Sequence, residues 1–141
     1  MSQSKILRII NSHVTRYLID TQIFIWFVEG DEQISKNIKS LLSDDRNKVF
    51  YSAASAWEMA IKVSIKKLKF GEPLADIVNR HCPSDFDLIP IRLSDVLSVE
   101  KLPLHHRDPF DRLLVAQAKN EDLEIISTDK IFDAYGVRRV G

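Results

Sequence analysis

The chain has 141 residues, of which 45% are hydrophobic and 28% charged, so it can bury one sizeable core, and its composition excludes extended disorder and collagen-like repeats. Lysine and arginine together number 20, as do aspartate and glutamate, so the net charge does not attract a polyanion, and nucleic-acid binding would depend on local patches. A single cysteine, Cys82, excludes an intrachain disulfide, and the apolar runs are too short to cross a membrane, so we expect a cytoplasmic protein without a membrane partner.

The N-terminal segment carries basic side chains and no acidic ones. Its apolar stretch is interrupted by Arg8 and Asn11, so it does not resemble the hydrophobic region of a signal peptide. We therefore predict a basic N-terminal extension over residues 1–15, whose role the sequence does not indicate, followed by a single domain over residues 16–141.

Beyond the extension, short β-prone runs alternate with stretches of helical periodicity. In chain order the pattern predicts a strand at 17–19, a helix at 23–28, a helix ending at 37–42, a strand at 47–51, a helix after residue 52, a helix at 74–81, a strand at 86–91, helices at 94–101 and 109–121, a strand at 124–126, a short helix near 131 and a strand at 137–140. Such alternation predicts an α/β fold with a mostly parallel central sheet flanked by helices on both faces.

Several residues mark element boundaries. Ser52 and Ser94 are predicted N-caps, and Asp108 followed by Pro109 supplies the preferred first two positions of a helix. Pro90 lacks an N–H group and places its strand at an edge or a strand end.

The helix after Ser52 has one stripe at helical spacing, formed by Trp57, Ile61, Ser64, Ile65 and Leu68. Trp26 and Trp57 could stack on nucleic-acid bases, but both lie within apolar helical stretches. We therefore predict that both tryptophans pack in the core.

Four acidic residues share a local context although they are far apart in the sequence. Asp20 and Asp129 follow predicted strands, and Asp111 and Glu58 lie in the first two turns of helices that follow strands. In parallel sheets, ligands bind outside the carboxyl ends of the strands, so all four side chains should point to one rim. Crowded carboxylates repel, and hard divalent cations such as Mg²⁺ and Mn²⁺ would neutralise them and suit phosphate chemistry.

Each acid also has a purely structural explanation. Asp20, Asp108 and Asp129 can cap the helices that follow them, and for Asp108 alone this explanation is the better one. Glu58 can pair with Lys62 on a solvated helix face. The joint position of the acids, rather than any single one, favours a metal site.

Four segments at these positions, residues 17–21, 52–62, 106–118 and 126–129, resemble the PIN-domain family, and within it the VapC-type toxins of bacterial toxin–antitoxin pairs. The resemblance implies a Mg²⁺- or Mn²⁺-dependent endoribonuclease with a PIN-like fold, covering residue 16 to the C-terminus. It further implies an RNA substrate, a homodimer, and a cognate antitoxin whose C-terminal segment covers the acidic site.

Residue by residue, the resemblance implies that the catalytic metal is bound by Asp20, Glu58, Asp111 and Asp129. Ser127 would orient a metal-bound water or an acid, with Asp108 and Thr21 as accessory residues. Two positions depart from the family pattern: Gln22 stands where this subgroup often has histidine, and Ser127 where it often has threonine. No core carboxylate is lost.

Basic residues near the acids could contact RNA phosphates. Lys62 begins a positive stretch that continues through residues 66–69, although a solvated helix face explains it equally well, and Arg107 and Arg112 flank the acids near Asp111. His105 and His106 lack partners at zinc-ligand spacing, so we interpret them as loop histidines.

Two rival functions remain open. A receiver-type signalling domain would also gather acids at strand ends, but it requires paired acids after the first strand, and Asp20 is followed by Thr21. The second rival is a non-catalytic PIN-like module that binds RNA or protein.

Overall fold

The computed structural model describes residues 15–141, so the predicted extension lies almost entirely outside the described residues. The α-helices are α1 (Thr21–Glu29), α2 (Lys36–Ser43), α3 (Ala53–Ser64), α4 (Leu74–His81), α5 (Leu93–Val99) and α6 (Pro109–Glu121). The strands are β1 (Arg16–Ile19), β2 (Lys48–Ser52), β3 (Asp87–Ile89), β4 (Glu124–Ile126) and β5 (Arg139–Val140), and a 3₁₀ helix spans Lys130–Tyr135. None of the helices in this part of the chain is long and apolar enough to cross a membrane.

The five strands form one parallel sheet in the order β3-β2-β1-β4-β5. Leu18 of β1 aligns with Phe50 of β2 on one side and with Ile125 of β4 on the other. The chain therefore leaves β1 in one direction and later returns to its opposite edge, which makes β1 the point where the strand order switches. The predicted α/β class and parallel sheet are confirmed.

Both faces of the sheet are buried. Ile19 and Tyr51 contribute to one apolar cluster with Phe24 of α1, whereas Leu18 and Ile125 contribute to another with residues of α6. Successive residues of a strand point to opposite faces, so strands that are apolar at every position require cover on both sides. The helices supply that cover, as predicted.

Several predicted boundaries move by a few residues, and two of these changes have a clear physical cause. Helix α5 begins at Leu93, because Arg92 is its N-cap and the Asp95 side chain accepts the Arg92 N–H at 2.9 Å, so the predicted Ser94 cap was wrong. Strand β3 is shorter than predicted and stops before Pro90, but it lies at the edge of the sheet as its proline indicated.

Helix α3 turns a different face inward from the one predicted. Trp57, Ile61 and Ile65 are 52%, 37% and 54% exposed, while Glu58 and Met59 are buried. The periodicity identified a true apolar stripe of the helix, but the neighbouring stripe is the one that is buried. The prediction that Trp57 packs in the core was therefore wrong, whereas Trp26 is half-buried against the core.

Candidate active site

The acids meet at the carboxyl ends of the two central strands. Asp20 directly follows β1, and its backbone N–H donates to Ile126 O at the end of β4 at 3.1 Å. Asp129 lies three residues beyond the end of β4. The switch in strand order at β1 opens a crevice between these two strand ends, and the acids lie at its mouth.

Asp20 is almost fully buried, and both of its carboxylate oxygens have partners. Oδ1 accepts the Ile23 N–H at 2.8 Å as the N-cap of α1, and Oδ2 accepts the Ser127 hydroxyl. Burial raises the pKa of Asp20 to about 6, although the hydrogen bonds from Ser127 and Ile23 act against it, while Asp129 and Glu58 raise it further.

Ser127 links the two strand-end acids. The Ser127 side chain is fully buried, donates to Asp20, and accepts the Asp129 N–H at 3.0 Å. Asp129 itself is exposed and caps the 3₁₀ helix through Oδ1, which accepts the Ile131 N–H at 3.0 Å. We call Asp20, Ser127 and Asp129 the strand-side group.

Glu58 extends from the buried face of α3 into the same crevice. Its Oε1 accepts the Thr21 hydroxyl at 2.6 Å, and Lys62 Nζ lies 2.8 Å from Oε2. Ser55 Oγ lies 2.9 Å from the Thr21 hydroxyl oxygen. The ion pair with Lys62 is therefore present, but Glu58 itself is buried and not on a solvated face.

The remaining acids lie at the start of α6. Asp108 caps the helix, with Oδ1 accepting the N–H groups of Phe110 at 2.8 Å and Asp111 at 3.1 Å. Asp111 Oδ2 lies 2.9 Å from His106 Nε2. Burial, then the nearby Asp108 charge, raises the pKa of Asp111 to about 7, and the hydrogen bond with His106 opposes this rise. We call His106, Asp108 and Asp111 the loop-side group.

All of the predicted metal-binding acids border one cleft of about 420 Å³. Its lining includes Asp20, Thr21, Gln22, Glu58, Lys62, Asp108, Asp111 and Asp129. The structure therefore brings together the acids that the sequence placed at one rim, with Thr21 and Lys62 beside them. Their roles in binding and catalysis stay predictions.

Comparison with family models gives a match to the PIN domain over residues 17–137. The chain belongs to the PIN domain family. In the comparison with curated proteins, no sequence match was found.

Solved structures with a similar fold include three from bacteria. VapBC2 from Rickettsia felis bound to a promoter DNA fragment has a TM-score of 0.68 at 15% identity, covering 89% of this chain and 98% of that one. VapBC-1 from nontypeable Haemophilus influenzae gives 0.63 at 15% identity over 89% and 97% of the two chains, and FitAcB from Neisseria gonorrhoeae gives 0.60 at 18% over 89% and 96%. At sequence identities of 15% to 18%, the similarity to these structures supports the fold alone.

The PIN cleft offers a donor set that fits a divalent cation. Its side chains present carboxylate oxygens, the ligands that Mg²⁺ and Mn²⁺ prefer. The pKa values of Asp20 and Asp111 are raised by burial and by neighbouring carboxylates, so these surroundings disfavour the ionised state of both side chains. A bound dication would remove this penalty, and the residues present therefore fit such an ion.

Arg112 has a structural task in place of the predicted contact with RNA. Its guanidinium is buried and donates to the carbonyl oxygens of Pro103 and Val99, each at 3.0 Å, and of His106 at 3.3 Å. This correction follows from the burial of α6, whose first buried residue is Arg112. Arg107 is exposed but does not line the cleft.

His106 is the functional candidate that the sequence analysis set aside. The spacing of a zinc site requires further histidine or cysteine partners, whereas the partners of His106 are carboxylates. Its signal was its position two residues before the Asp108 cap and five before Asp111. His105 instead packs edge-to-face against Tyr135 at 5.2 Å between ring centroids.

Proposed function

We propose that this PIN domain is a Mg²⁺- or Mn²⁺-dependent endoribonuclease of the VapC type, the toxin of a toxin–antitoxin pair. One observation carries the proposal: Asp20, Glu58, Asp111 and Asp129 border a single cleft at the carboxyl edge of the sheet. These acids are distant in sequence. Helix capping by Asp20 and Asp129 and the ion pair of Glu58 with Lys62 explain each residue locally, but they do not explain why all four acids meet in one cleft. Metal-assisted hydrolysis of a phosphodiester supplies a shared explanation.

In this proposal the four acids hold the ion and the surrounding polar residues hold the acids. The ion, when bound, lowers the pKa of a water and stabilises charge on the phosphate. Ser127 orients the Asp20 carboxylate, and Thr21 does the same for Glu58 through its 2.6 Å hydrogen bond. Both hydroxyls are buried, which fixes the carboxylate planes before substrate arrives.

Lys62 gives the substrate a positive contact inside an otherwise acidic cleft. The Glu58 carboxylate raises the pKa of the Lys62 ammonium, and its side chain remains 45% exposed. The exposed Lys66, Lys67 and Lys69 continue this positive surface away from the cleft. Backbone phosphates of RNA would pair with such ammonium groups independently of base sequence.

The proposed partners match surfaces that the described residues leave uncovered. The exposed stripe formed by Trp57 and Ile61 on α3 and by Ile65 directly after it is an apolar surface of the kind that protein interfaces cover, and we assign it to the homodimer. The acidic cleft is the surface that a cognate antitoxin would block. The complexes named VapBC, which share this fold, support a partner of that kind, and the cytoplasm is the compartment we propose for both.

Incubation of the purified protein, free of any antitoxin, with mixed RNAs tests the proposal. We expect cleavage with Mn²⁺ or Mg²⁺ and none when EDTA is in excess. RNA binding without metal-dependent cleavage would instead favour a non-catalytic PIN-like module. Growth arrest on expression, relieved by a neighbouring small open reading frame, tests the toxin assignment.

A further inference from the structure

His106 lies where it could touch a bound ion. One ring nitrogen of His106 and one carboxylate oxygen each from Asp108 and Asp111 lie within 4.8 Å of one another. Two ligand atoms on opposite sides of one small dication are about 4 Å apart, so small side-chain rotations suffice to bring all three onto one ion. The His106 ring is half-buried beside the acids and is not free in solvent.

The backbone at His106 is fixed although it belongs to no helix or strand. The His106 carbonyl oxygen accepts Arg112 NH1 at 3.3 Å and the Tyr135 hydroxyl at 3.4 Å. The Arg112 guanidinium also donates to the carbonyl oxygen of Pro103, which lies in the same loop. The backbone that carries the imidazole is therefore held by buried groups, which lowers the entropy that ligation would cost.

The two neighbouring carboxylates keep oxygen atoms for an ion. Asp108 uses Oδ1 to cap α6, and Asp111 uses Oδ2 for His106. Within residues 15–141, the other oxygen of each carboxylate has no hydrogen-bond partner. These oxygens lie beside the His106 imidazole, whose Nε2 pairs with Asp111 Oδ2 and would exchange this contact for the ion, so that the three residues offer one nitrogen and two carboxylate donors.

We propose that His106 supplies an imidazole nitrogen, beside an oxygen of the accessory Asp108, to the ion that Asp111 helps to hold, so that the cleft prefers a first-row transition dication such as Mn²⁺ over Mg²⁺. The inference rests on the metal site of the proposed function and adds a donor that an all-carboxylate site lacks. Imidazole suits transition-metal ions, whereas Mg²⁺ favours oxygen ligands and retained waters. The competing explanation is that His106 only orients Asp111 by a hydrogen bond.

Calorimetric titration of the full chain with Mn²⁺ and, separately, Mg²⁺ distinguishes these explanations. The variant His106→Gln keeps a side-chain donor near Asp111 but removes the imidazole, and His105→Gln is the matched control on the adjacent residue. We expect His106→Gln to weaken Mn²⁺ binding by about 10-fold or more and to change Mg²⁺ binding much less. His105→Gln should match the wild type for both ions.

Pulsed electron paramagnetic resonance of the Mn²⁺ complex gives an independent readout. We expect a ¹⁴N coupling from a directly bound imidazole in the wild type and in His105→Gln, and its loss in His106→Gln. If the wild type shows no ¹⁴N coupling, or if His106→Gln weakens the binding of Mn²⁺ and Mg²⁺ equally, then His106 is not a ligand, although the metal site itself would stand. Failure of the wild type to bind either ion would overturn the metal site itself and this inference with it.

Discussion

The strand-side and loop-side groups hold their acids by different means. Asp20 and Ser127 are tied into the sheet, since Asp20 N–H donates to Ile126 O at 3.1 Å and Ser127 N–H to Val140 O at 3.0 Å. Asp111 and His106 are half-buried and belong to a helix start and a loop, where the His106 carbonyl oxygen accepts from the side chains of Arg112 and Tyr135. The strand side therefore keeps its geometry through the backbone, while the loop at His106 depends on buried side chains.

We expect this difference to separate two properties of the proposed metal site. Because backbone ladders leave little freedom, the strand side would fix where an ion lies. The loop side has an imidazole and, within residues 15–141, carboxylate oxygens without hydrogen-bond partners, so it would set which ion is bound and how tightly. Variants on the two sides should therefore fail in different ways.

The largest effect is expected from removing one charge on either side. Asp20→Asn and Asp111→Asn should each lower RNA cleavage by more than about 100-fold, because a metal ligand is lost. In EDTA the melting temperature of each should stay level or rise, since a repelling, desolvated charge disappears. Cleavage rates and thermal melts of the two variants provide the measurement.

Asp122→Asn is the matched control for these two variants. Asp122 is an exposed acid outside the cleft, and its backbone has a positive φ of 53°, which asparagine accepts. It should retain wild-type cleavage. Substantial activity in Asp20→Asn or Asp111→Asn would refute the assigned roles of these acids.

Replacing the residue that holds the loop side, Arg112, should lower the free energy of unfolding more than the corresponding replacement on the strand side. Arg112→Lys cannot span the carbonyl oxygens of Val99, Pro103 and His106, so we expect a loss of about 3 kcal/mol in the free energy of unfolding. Urea denaturation measures this loss. An unfolding free energy equal to that of the wild type would show that the guanidinium does not hold the loop.

Ser127→Ala tests the corresponding link on the strand side. The change removes the donor to Asp20 and the acceptor for the Asp129 N–H, which should cost about 1–3 kcal/mol. The affinity of Ser127→Ala for the metal ion should also fall, because the Asp20 carboxylate loses the hydrogen bond that orients it. Ser40→Ala, at an exposed serine of α2 that does not line the cleft, is the control and should remain close to the wild type in both measurements.

The smallest expected effect is a pH dependence of the metal-free protein. Asp20 and Asp111 have pKa values raised to about 6 and about 7, so the folded state binds protons more tightly than the unfolded chain. Their contribution to stability is complete below pH of about 4 and is lost as pH rises through 6 to 7. The melting temperature of Asp111→Asn minus that of the wild type should therefore grow by a few degrees from pH of about 5 to 8. A constant difference would contradict the raised pKa of Asp111.

The sequence predicted the strand-end acids because they depend on local patterns. Asp20 follows a short apolar strand, and Asp108 with Pro109 is a local helix start, so both were visible without tertiary information. The parallel sheet then brought distant acids together by topology alone. That step needed no knowledge of side-chain contacts.

The errors arose where local pattern and tertiary packing differ. The apolar stripe through Trp57 has the right periodicity, but which stripe of a helix faces the sheet is decided by neighbours such as α6. Arg112 was taken as a surface cation, since nothing local shows that seven consecutive residues of α6 are buried. His106 was missed because the zinc-ligand pattern requires histidine or cysteine partners, whereas its neighbours Asp108 and Asp111 are carboxylates.

A crystal soaked with Mn²⁺ tests the central claim most directly. Anomalous scattering should show an ion bound by oxygens of Asp20, Glu58, Asp111 or Asp129, at about 2.1 Å from its ligands. A well-ordered Mn²⁺ elsewhere on the molecule, with this cleft holding none at saturating concentration, would contradict the account.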